Sequence, residues 1–519
     1  MSDPFGHQSL AIPYRPVAEL LTAYAARDPE RLALVDIDQD VSLNFAELEA
    51  LVTDIAADLK KRGLAKGSRI VLLSDECIEK LLIWFATWRI GAVICPLNIE
   101  LNAEHISALT ASIAPALILV HKDLDSAALR FGTAAPIVRF GPFTNASDEF
   151  FAHLARGADP ASLSERNEPL DVSCIFCTSG TTDRPKIVVY DHVAYWLNGL
   201  STIDFLGLTA EDRALEYRSF GWNSAQVLSL MPFLQLGTTL HIARRFSHSR
   251  FFDWIRKYRI SFAAGVPTVI NMMLNKPLDI SASDIPTLRL MSSSSAPLSP
   301  EQWVRFEKMY GVTLLQAYGM SEVGWICGNR HYKRRIGTVG PPVKHQEFAI
   351  LDADGKPCPP GVEGEIAVTG PQSAIGLLQD DGTLEPVRGR WIKSGDLASI
   401  DEDGFVRITG RAKDLIIRGG ANISPVEIDG VLLAHPGVLD AASVGVPDPI
   451  YGEEVVAFAV LKPNSGYDAE AVLSYCAAKL PLPKRPKRLF IVDELPKSDR
   501  GKVLRDRLRE KWSELTAAR

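Results

Sequence analysis

The chain has 519 residues, of which 46% are hydrophobic and 23% are charged, and its net charge is −7. A chain of this length needs more than one hydrophobic core, and its composition is that of an ordinary globular protein. The acidic balance argues against a nucleic-acid partner. No apolar run reaches the roughly 18 residues of a membrane span, and the N-terminus lacks a signal pattern.

The seven cysteines are scattered and form no disulfide or zinc framework, so the sequence predicts reduced thiols and a cytoplasmic location. Cys174 and Cys177 do form a CxxC pair. They lie along an apolar strand, where this odd spacing points the two side chains to opposite faces. We therefore interpret the pair as structural.

The first part of the chain alternates helical spacing with short apolar runs. The predicted elements are a helix at Val17–Ala26, a strand at Leu32–Ile37, a helix at Phe45–Gly63, a strand at Arg69–Ser74, a helix at Glu76–Ala92 and a strand at Ala116–Val120. Such alternation predicts an α/β fold, with stacked, mostly parallel sheets flanked by helices.

Residues 210–330 repeat this pattern, with a helix at Arg250–Ile260. From Pro341 onward, short strands and the turn signals DADG and DEDG predict a smaller β subdomain. A last α+β segment begins near Arg411. We expect an N-terminal domain at 1–411 and a small, mobile C-terminal lid domain at 412–519. No Gly/Ser tract joins them, so the hinge should involve only a few dihedral angles.

The stretch CTSGTTDRPK lies between two apolar strands, Val172–Phe176 and Ile187–Tyr190, and is therefore a hairpin rather than a P-loop. Gly180 would allow close backbone approach to a phosphate, and Lys186 would supply a point charge. The loop hydroxyls are those of Thr178, Ser179, Thr181 and Thr182. Phosphate binding through loop amides and hydroxyls is the functional interpretation, and a solvated polar turn is the alternative.

Further motifs follow at Leu314–Gly324 (LLQAYGMSEVG), Arg390–Asp429 and Leu495–Arg505 (LPKSDRGKVLR). In this order and spacing the chain resembles the acyl-adenylate-forming superfamily. Within it, the sequence is similar to the acyl-CoA synthetase branch, including carnitine/crotonobetaine-type and other small or aromatic carboxylate CoA ligases. The resemblance covers nearly the whole chain and implies ATP and Mg²⁺ as cofactors and CoA as cosubstrate.

The resemblance implies a role for each matching residue on the ATP side. Ser321 stands where threonine is usual and would reach the α-phosphate, and Glu322 would hold Mg²⁺. Tyr318, followed by Gly319, would stack on adenine. The loop residues that would grip the β- and γ-phosphates are Thr178, Ser179, Gly180, Thr181, Thr182 and Lys186. Taken alone, Glu322 could instead begin a helix.

The resemblance also assigns the residues that follow. Asp396 would accept both ribose hydroxyls, and Arg411 would lie near ribose and phosphate. Lys502 would bridge the substrate carboxylate and the α-phosphate, and rotation at Lys413 would then replace it with the segment around Gly420 for thioester formation. Taken alone, Asp396 could cap a turn, Lys502 could be solvated, and the glycines could form a turn between a strand and a helix.

The acyl pocket is where the chain departs from the family. Trp222 or Asn223 takes the position of an aromatic–histidine gate, and Ser294 and Ser295 replace glycines. The added hydroxymethyl groups predict a small pocket with polar lining. A buried hydroxyl without a partner costs about 1–3 kcal/mol, so these serines should form hydrogen bonds, to substrate or to neighbouring backbone.

Two further departures are Asp183, which replaces a common glycine of the loop, and Arg500, which precedes Gly501 where a small hydroxyl residue is common. The predicted function is an ATP-dependent acyl-CoA ligase for a short, polar or aromatic carboxylic acid. Loading of a carrier protein is the alternative, and non-catalytic nucleotide binding is a remote one. A homodimer is compatible with the resemblance.

Overall fold

The computed structural model describes residues 14–125, 129–145, 147–163, 167–178, 185–497 and 502–517. Its helices are α1 (Val17–Arg27), α2 (Phe45–Lys61), α3 (Ile78–Arg89), α4 (Ala103–Ile113), α5 (His192–Leu206), α6 (Asn223–Ala225), α7 (Met231–Leu236), α8 (Phe251–Tyr258), α9 (Pro267–Asn275), α10 (Pro300–Tyr310), α11 (Pro425–Leu433), α12 (Ala469–Lys479) and α13 (Arg505–Ala517).

The first thirteen strands are β1 (Leu32–Asp36), β2 (Val41–Asn44), β3 (Arg69–Leu73), β4 (Val93–Leu97), β5 (Leu117–His121), β6 (Ile137–Phe140), β7 (Val172–Cys177), β8 (Ile187–Asp191), β9 (Arg213–Glu216), β10 (Thr239–Ile242), β11 (Phe262–Ala263), β12 (Leu290–Ser293) and β13 (Thr313–Met320). The remaining strands are β14 (Gly324–Gly328), β15 (Glu347–Leu351), β16 (Gly364–Thr369), β17 (Gly376–Leu378), β18 (Leu384–Pro386), β19 (Ile392–Ile400), β20 (Val406–Arg411), β21 (Ile416–Arg418), β22 (Ala421–Ile423), β23 (Val438–Asp448), β24 (Gly452–Leu461) and β25 (Arg488–Ile491).

Two eight-stranded sheets form the main body. The first has the order β14-β13-β12-β11-β9-β10-β1-β2, and the second has the order β18-β17-β8-β7-β4-β3-β5-β6. The inner strands of the first sheet pair in parallel, as do β7-β4-β3-β5-β6 of the second, while antiparallel pairs occupy the edges. The stacked, mostly parallel α/β arrangement expected from the sequence is confirmed.

Helix α3 lies between the two sheets, because it contacts β4 of one and β1 of the other. All of its residues are buried, which explains why its sequence is apolar nearly all round rather than amphipathic. By contrast, α2 is amphipathic and begins in a capping box. The Asn44 side chain accepts from the Glu47 amide, and the Glu47 carboxylate accepts from the Asn44 amide.

A four-stranded antiparallel sheet, β15-β16-β19-β20, forms the predicted smaller β unit. Its turns follow DADG and DEDG as expected, with Gly355 donating to the Asp352 carbonyl and Gly404 to the Asp401 carbonyl. Ile366 and Val406 of this sheet pack into the same hydrophobic core as the main body. The third sheet is therefore continuous with the first two.

A fourth sheet, β22-β21-β24-β23 with β25 beside β24, carries α11–α13. Its apolar residues form two clusters of their own, which run from Ile416 to Leu489 and from Ala442 to Leu508. The α+β character expected of the last segment is thus confirmed. In the described ranges, no helix is both long and apolar enough to cross a membrane.

Strand β7 places its two cysteines on opposite faces, as predicted. Cys174 packs into the core shared by the two sheets, and Cys177 packs into a separate cluster with Val71 and Leu109. Both thiols are free. Burial raises the pKa of Cys177 to about 12, so this thiol stays protonated near neutral pH.

Candidate active site

The loop that opens the candidate nucleotide site joins β7 to β8, as the sequence predicts. The two strands pair up to Cys177 and Ile187. Just beyond them, the Thr178 amide donates to the Lys186 carbonyl at 2.9 Å, and the Lys186 amide donates to Thr178 Oγ1 at 3.1 Å. This reciprocal pair closes the base of the loop. Four predicted phosphate ligands and Asp183 lie outside the described residues, namely Ser179, Gly180, Thr181, Thr182 and Asp183.

Helix α5 holds the far end of β8 in place. Asp191 caps the helix by accepting from the Ala194 amide, and its two carboxylate oxygens also accept from Arg388 at 2.5 and 2.7 Å. Both partners are buried, so this bidentate pair is desolvated and geometrically specific. The β7–β8 hairpin is therefore anchored to the chain that follows β18.

Lys186 leaves the base of the loop and reaches the turn between β13 and β14. Its Nζ lies 2.9 Å from Glu322 Oε1, with the Lys186 side chain 55% exposed and Glu322 mostly buried. Tyr190 donates to the Ser321 carbonyl at 3.0 Å, and the Ala374 amide donates to the Glu322 carbonyl at 2.9 Å. Glu322 thus lies in a braced turn between two strands and does not begin a helix.

Tyr318 and Gly319 lie at the carboxyl end of β13. The Tyr318 hydroxyl donates to the Asp396 carboxylate, which also accepts from Arg411 Nε at 2.9 Å. Burial, then the Asp396 charge, raises the pKa of Tyr318 well above its usual value, so the phenol remains a donor. A Cβ at Gly319 would lie 2.4 Å from the Gly324 carbonyl oxygen, which explains the glycine.

Asp396 and Arg411 face each other across β19 and β20. The pairing of β19 with β20 therefore brings the carboxylate and the guanidinium together, although the two residues are 15 positions apart in sequence. Asp396 is almost fully buried and sits beside Tyr318. The three candidate adenosine ligands predicted from the sequence are brought together, and they form hydrogen bonds to one another.

Lys502 belongs to the segment that leads into α13. Lys497 and Val503 form a β-bridge, and the Leu504 amide donates to the Pro496 carbonyl at 2.9 Å. Three residues after Lys502, Arg505 donates to Asp429 at 2.6 Å. Lys502 is thus carried by the fourth sheet unit. Arg500 and Gly501 lie outside the described residues.

Lys413 is exposed in a short 3₁₀ turn, Ala412–Asp414, between β20 and β21. Gly419 and Gly420 follow β21 with φ of +59° and +84°. They form a two-residue turn to β22, so the alternative of a turn between strand and helix is wrong. Two successive positive φ values strongly favour glycine at both positions.

Trp222 and Ser295 line one cavity of about 260 Å³. Trp222 precedes α6, and Ser295 follows β12 with a φ of +74°, a left-handed conformation that normally favours glycine. Asn223 and Ser294 are buried beside these residues but do not line the cavity. Of the two candidates for the gate position, the structure thus exposes Trp222 to the cavity.

Two alternatives were predicted for the Ser294 hydroxyl, and of these a hydrogen bond to substrate stays a prediction. The buried Oγ of Ser294 has no hydrogen-bond partner in the described part of the chain, and neither has Oγ of Ser293. The alternative that Ser294 bonds neighbouring backbone is therefore wrong for the side chain as it stands.

Sequence reasoning missed the charged lining of this cavity. Charged residues follow the ends of several strands: Asp75 and Glu76 after β3, Glu100 after β4, Arg218 after β9, and Arg244 and Arg245 after β10. Ligands of open α/β sheets bind outside the carboxyl ends of the strands. That rule, applied to the predicted strands, could have identified these residues.

Two members of this lining are buried and paired. Arg218 donates to Glu216 through Nε at 2.9 Å and Nη2 at 2.7 Å. Burial opposes its charge, but the adjacent Glu216 outweighs this and raises the pKa of Arg218. Glu76 Oε1 accepts from Lys80 at 2.5 Å and from Ser219 at 2.9 Å. Burial raises the pKa of Glu76, against the effect of Lys80.

Comparison with known proteins agrees with this geometry. The AMP-binding enzyme profile matches residues 21–378, and the profile of the AMP-binding enzyme C-terminal domain matches residues 427–502. The sulfoacetate–CoA ligase of Cupriavidus necator is 31% identical over 502 residues, which cover 95% of this chain and 97% of the relative. The indoleacetate–CoA ligase of Aromatoleum aromaticum is 30% identical over 508 residues, which cover 95% and 98%.

Among solved structures, ATP-bound MatB from Rhodopseudomonas palustris superposes with a TM-score of 0.86 at 28% identity, covering 96% of this chain and 99% of that chain. The family profile spans more than half of the chain, and the curated relatives match it almost from end to end. The protein described here therefore belongs to the AMP-binding enzyme family.

Proposed function

We propose that this protein is an ATP-dependent, AMP-forming acyl-CoA ligase. It activates a carboxylic acid to acyl-AMP with release of pyrophosphate, and then transfers the acyl group to the CoA thiol with release of AMP. The observation that carries the proposal is the convergence of Lys186–Glu322 with the Tyr318–Asp396–Arg411 cluster. The names of the curated relatives, which are acid–CoA ligases, support the same reaction and favour CoA over a carrier protein.

In the first half-reaction, a carboxylate oxygen of the acid attacks the α-phosphorus of ATP, and the bond from that phosphorus to the bridging oxygen of pyrophosphate breaks. The negative charge that develops needs cations placed in advance rather than a protein nucleophile. We assign this role to Lys502 at the α-phosphate and to Lys186 with the β7–β8 loop at the leaving pyrophosphate. The Ser321 hydroxyl would donate to the α-phosphate.

Glu322 fits the role of the protein ligand to Mg²⁺. Mg²⁺ is usually bound by one or two carboxylates together with substrate phosphates, and not by a cage of protein ligands. Glu322 is a braced carboxylate beside the loop, and no cluster of three His, Cys, Asp or Glu side chains suited to a metal occurs among the described residues. When bound, Mg²⁺ supplies charge neutralisation on the phosphates.

On the adenosine side, we assign ribose recognition to Asp396, which has acceptor capacity for both hydroxyls. Arg411 would orient that carboxylate, and Tyr318 would offer its ring face to adenine beside the Gly319 backbone. In the structure these groups already bond to one another. Nucleotide binding therefore exchanges protein–protein hydrogen bonds for protein–ligand ones.

For the second half-reaction, we propose a domain division at residues 1–411 and 412–519, with rotation at Lys413. The separate hydrophobic clusters of the fourth sheet support it, because they let that unit move as a body. Rotation would withdraw Lys502 and bring the Gly419–Gly420 turn to the acyl-adenylate. Among the described residues other than its two chain neighbours, no heavy atom lies within 4 Å of a Cβ built at Gly420, so a pantetheine arm could pass there.

The acyl pocket in this proposal is the cavity lined by Trp222 and Ser295. Its volume of about 260 Å³ is below the roughly 300–1,000 Å³ of drug-sized ligand pockets, which favours a small acid. The charged lining favours polar substituents over a long hydrocarbon chain.

The direct test is acid-dependent pyrophosphate release from ATP across a panel of short, polar, aromatic and long-chain acids, with CoA and with a phosphopantetheinylated carrier protein. We expect thioester on CoA, identified by mass spectrometry, and one AMP per thioester. Release without any acyl-CoA, or acylation of the carrier alone, would contradict the ligase assignment. Preference for long-chain fatty acids would contradict the small pocket.

A cytoplasmic location and a homodimer are further parts of the proposal. All seven cysteines are free, including Cys358, which is only partly buried. This supports a reducing compartment. Cell fractionation and light scattering coupled to size-exclusion chromatography test these two points. Recovery in an oxidising compartment or a monomeric mass would overturn the corresponding part.

A further inference from the structure

The acyl cavity carries a balanced set of charges. Its lining includes three cationic and three anionic side chains, namely Arg218, Arg244, Arg245, Asp75, Glu76 and Glu100. Arg218 and Glu76 are buried, whereas Glu100, Arg244 and Arg245 are exposed to solvent, so the buried charge of the lining is one cation and one anion. A pocket that selects a plain hydrocarbon tail has no use for these two groups, because burying charge is costly. A pocket for a second carboxylate would be expected to carry an excess of positive charge. The balance points to a neutral polar group on the substrate.

Arg218 supplies a hydrogen-bond donor to this cavity. The residue is 4% exposed, and its Nε and Nη2 are both committed to Glu216. Nη1 is buried and has no hydrogen-bond partner within the described ranges. Because the Glu216 pair fixes the guanidinium plane, Nη1 is the donor that Arg218 can offer to a molecule in the cavity.

Glu76 supplies an acceptor to the same cavity. It is 5% exposed, and its Oε1 accepts from both Lys80 and Ser219. Oε2 is buried and has no hydrogen-bond partner of good geometry among the described residues, although the Phe220 amide lies close enough to the carboxylate to lower its pKa. Ser219 directly follows Arg218 in the chain, and both residues line the cavity with Glu76, so the acceptor and the donor face the same space.

A hydroxyl group is the simplest group that could pair with both the Arg218 donor and the Glu76 acceptor, since it accepts one hydrogen bond and donates another. A carboxylate or sulfonate could only accept, and it would add negative charge beside Glu76. An ammonium group could only donate, and it would add positive charge beside Arg218. We propose that the acid activated by this protein carries a hydroxyl on its tail, which accepts from Arg218 Nη1 and donates to Glu76 Oε2. This inference rests on the acyl-CoA ligase function proposed above.

The test is a set of matched acids that differ only in the tail group. One series is benzoate with its hydroxy, carboxy and amino derivatives at each ring position, and another is butyrate with the corresponding derivatives. Acid-dependent pyrophosphate release gives kcat/KM for each. We expect the best hydroxy acid to exceed its unsubstituted parent by about ten- to a hundred-fold, as for a site built around a substrate hydroxyl.

Glu76→Gln should reduce that preference, measured as the ratio of kcat/KM for the hydroxy acid to kcat/KM for its unsubstituted parent, at least tenfold. Glu100→Gln is the matched control, because Glu100 lines the same cavity, whereas the side-chain bonds of Glu76 are to Lys80 and Ser219. It should leave the preference unchanged. If Glu76→Gln fails to fold because Lys80 loses its partner, Glu76→Asp keeps the charge and shortens the reach. It should lower the preference in the same direction.

The outcomes separate two failures. If acids are activated but an unsubstituted, dicarboxylic or amino acid is preferred over its hydroxy counterpart, the hydroxyl assignment is overturned and the ligase function stands. An unchanged preference in Glu76→Gln and Glu76→Asp also overturns it. If no acid in any series triggers pyrophosphate release, the ligase function fails, and the inference fails with it.

Discussion

The nucleotide end of the site and the acyl end treat their polar groups in opposite ways. At the nucleotide end, the groups assigned to ATP bond to one another, as Lys186 does with Glu322 and as Asp396 does with Tyr318 and Arg411. At the acyl end, buried polar atoms of Arg218 and Glu76 have no partner in the described residues.

This difference indicates what each ligand contributes on binding. ATP must displace existing pairs, so its net gain is the difference between two sets of hydrogen bonds. An acid that forms hydrogen bonds with these buried atoms removes nearly the full free-energy penalty of leaving them without partners. The nucleotide end is thus suited to a common cosubstrate, and the acyl end to discrimination between acids. The following changes test or refine this contrast, from the largest expected effect to the smallest.

Lys502→Ala should lower the rate of acyl-AMP formation by at least about 10²–10³-fold, because it removes a cation aimed at the transition state. Thioester formation from supplied acyl-adenylate should be spared, since the proposed rotation withdraws Lys502 before that step. Rapid-quench assays of each half-reaction measure the two rates. Lys497→Ala, on the same segment but paired with Asp440, is the control. Equal loss in both half-reactions would refute rotation of the lysine.

Glu322→Gln should lower kcat/KM for ATP by about a hundredfold and raise the Mg²⁺ concentration needed for half-maximal activity, because a carboxylate ligand becomes neutral. Magnesium titrations at fixed ATP measure both effects. Glu363→Gln changes an exposed glutamate that directly precedes β16, and it should alter neither quantity. If Glu322→Gln showed a normal magnesium requirement, Glu322 would not be a ligand of Mg²⁺.

Acid should lower the stability of the folded protein. Burial lowers the pKa of His192 and of His241 to about 3, from an ordinary 6.5. Between pH 6.5 and pH 3 these histidines are protonated in the unfolded chain but not in the folded protein. Their contribution to the free energy of unfolding is therefore present above pH 6.5 and is lost as pH falls toward 3. At pH 5, each histidine should lower the free energy of unfolding by about 2 kcal/mol.

Urea denaturation from pH 7 to pH 5 measures this loss. His192→Phe keeps a ring against Trp88 and removes the titration, so its stability should fall less steeply with acid than that of the wild type. Identical pH slopes for the two proteins would mean that His192 is accessible to protons in the folded state.

Ser295→Gly should raise the free energy of unfolding by up to about 1 kcal/mol, because the left-handed φ of +74° costs serine what it does not cost glycine. It should also widen the acyl end and improve kcat/KM for bulkier acids. Ala296→Gly is the control, since Ala296 is not in a positive-φ conformation, and it should destabilise by about 0.5–1 kcal/mol. A destabilised Ser295→Gly would show that the serine hydroxyl has a structural role.

Much of the architecture could be predicted from local patterns. Alternating apolar strands and helices indicated the parallel sheets, and strands on both sides of CTSGTTDRPK indicated a hairpin, because periodicity and turn residues act over a few neighbours. The turn at Gly419–Gly420 was harder. Its glycines predicted a turn, but whether β22 or a helix would follow depends on the place of the hairpin in the sheet: β22 pairs with β21, and β21 pairs with β24, a strand remote in sequence.

The acyl end shows the other limit of sequence reasoning. Trp222 and Ser295 could be identified by position, yet the partners of Ser294 could not, since a buried hydroxyl is satisfied or orphaned by atoms from other segments. Arg218 and Glu76 are 142 positions apart and line one cavity only because β3 and β9, in different sheets, both end there.

The sequence by itself determined the order of elements, the family and the residue types of the nucleotide end, because these depend on local spacing along the chain. Only the tertiary structure decided that Lys186 pairs with Glu322, that Asp396 is held between Tyr318 and Arg411, and that charges collect around the acyl cavity. Pairing and burial are properties of groups brought together from distant segments, so no local pattern of residues specifies them.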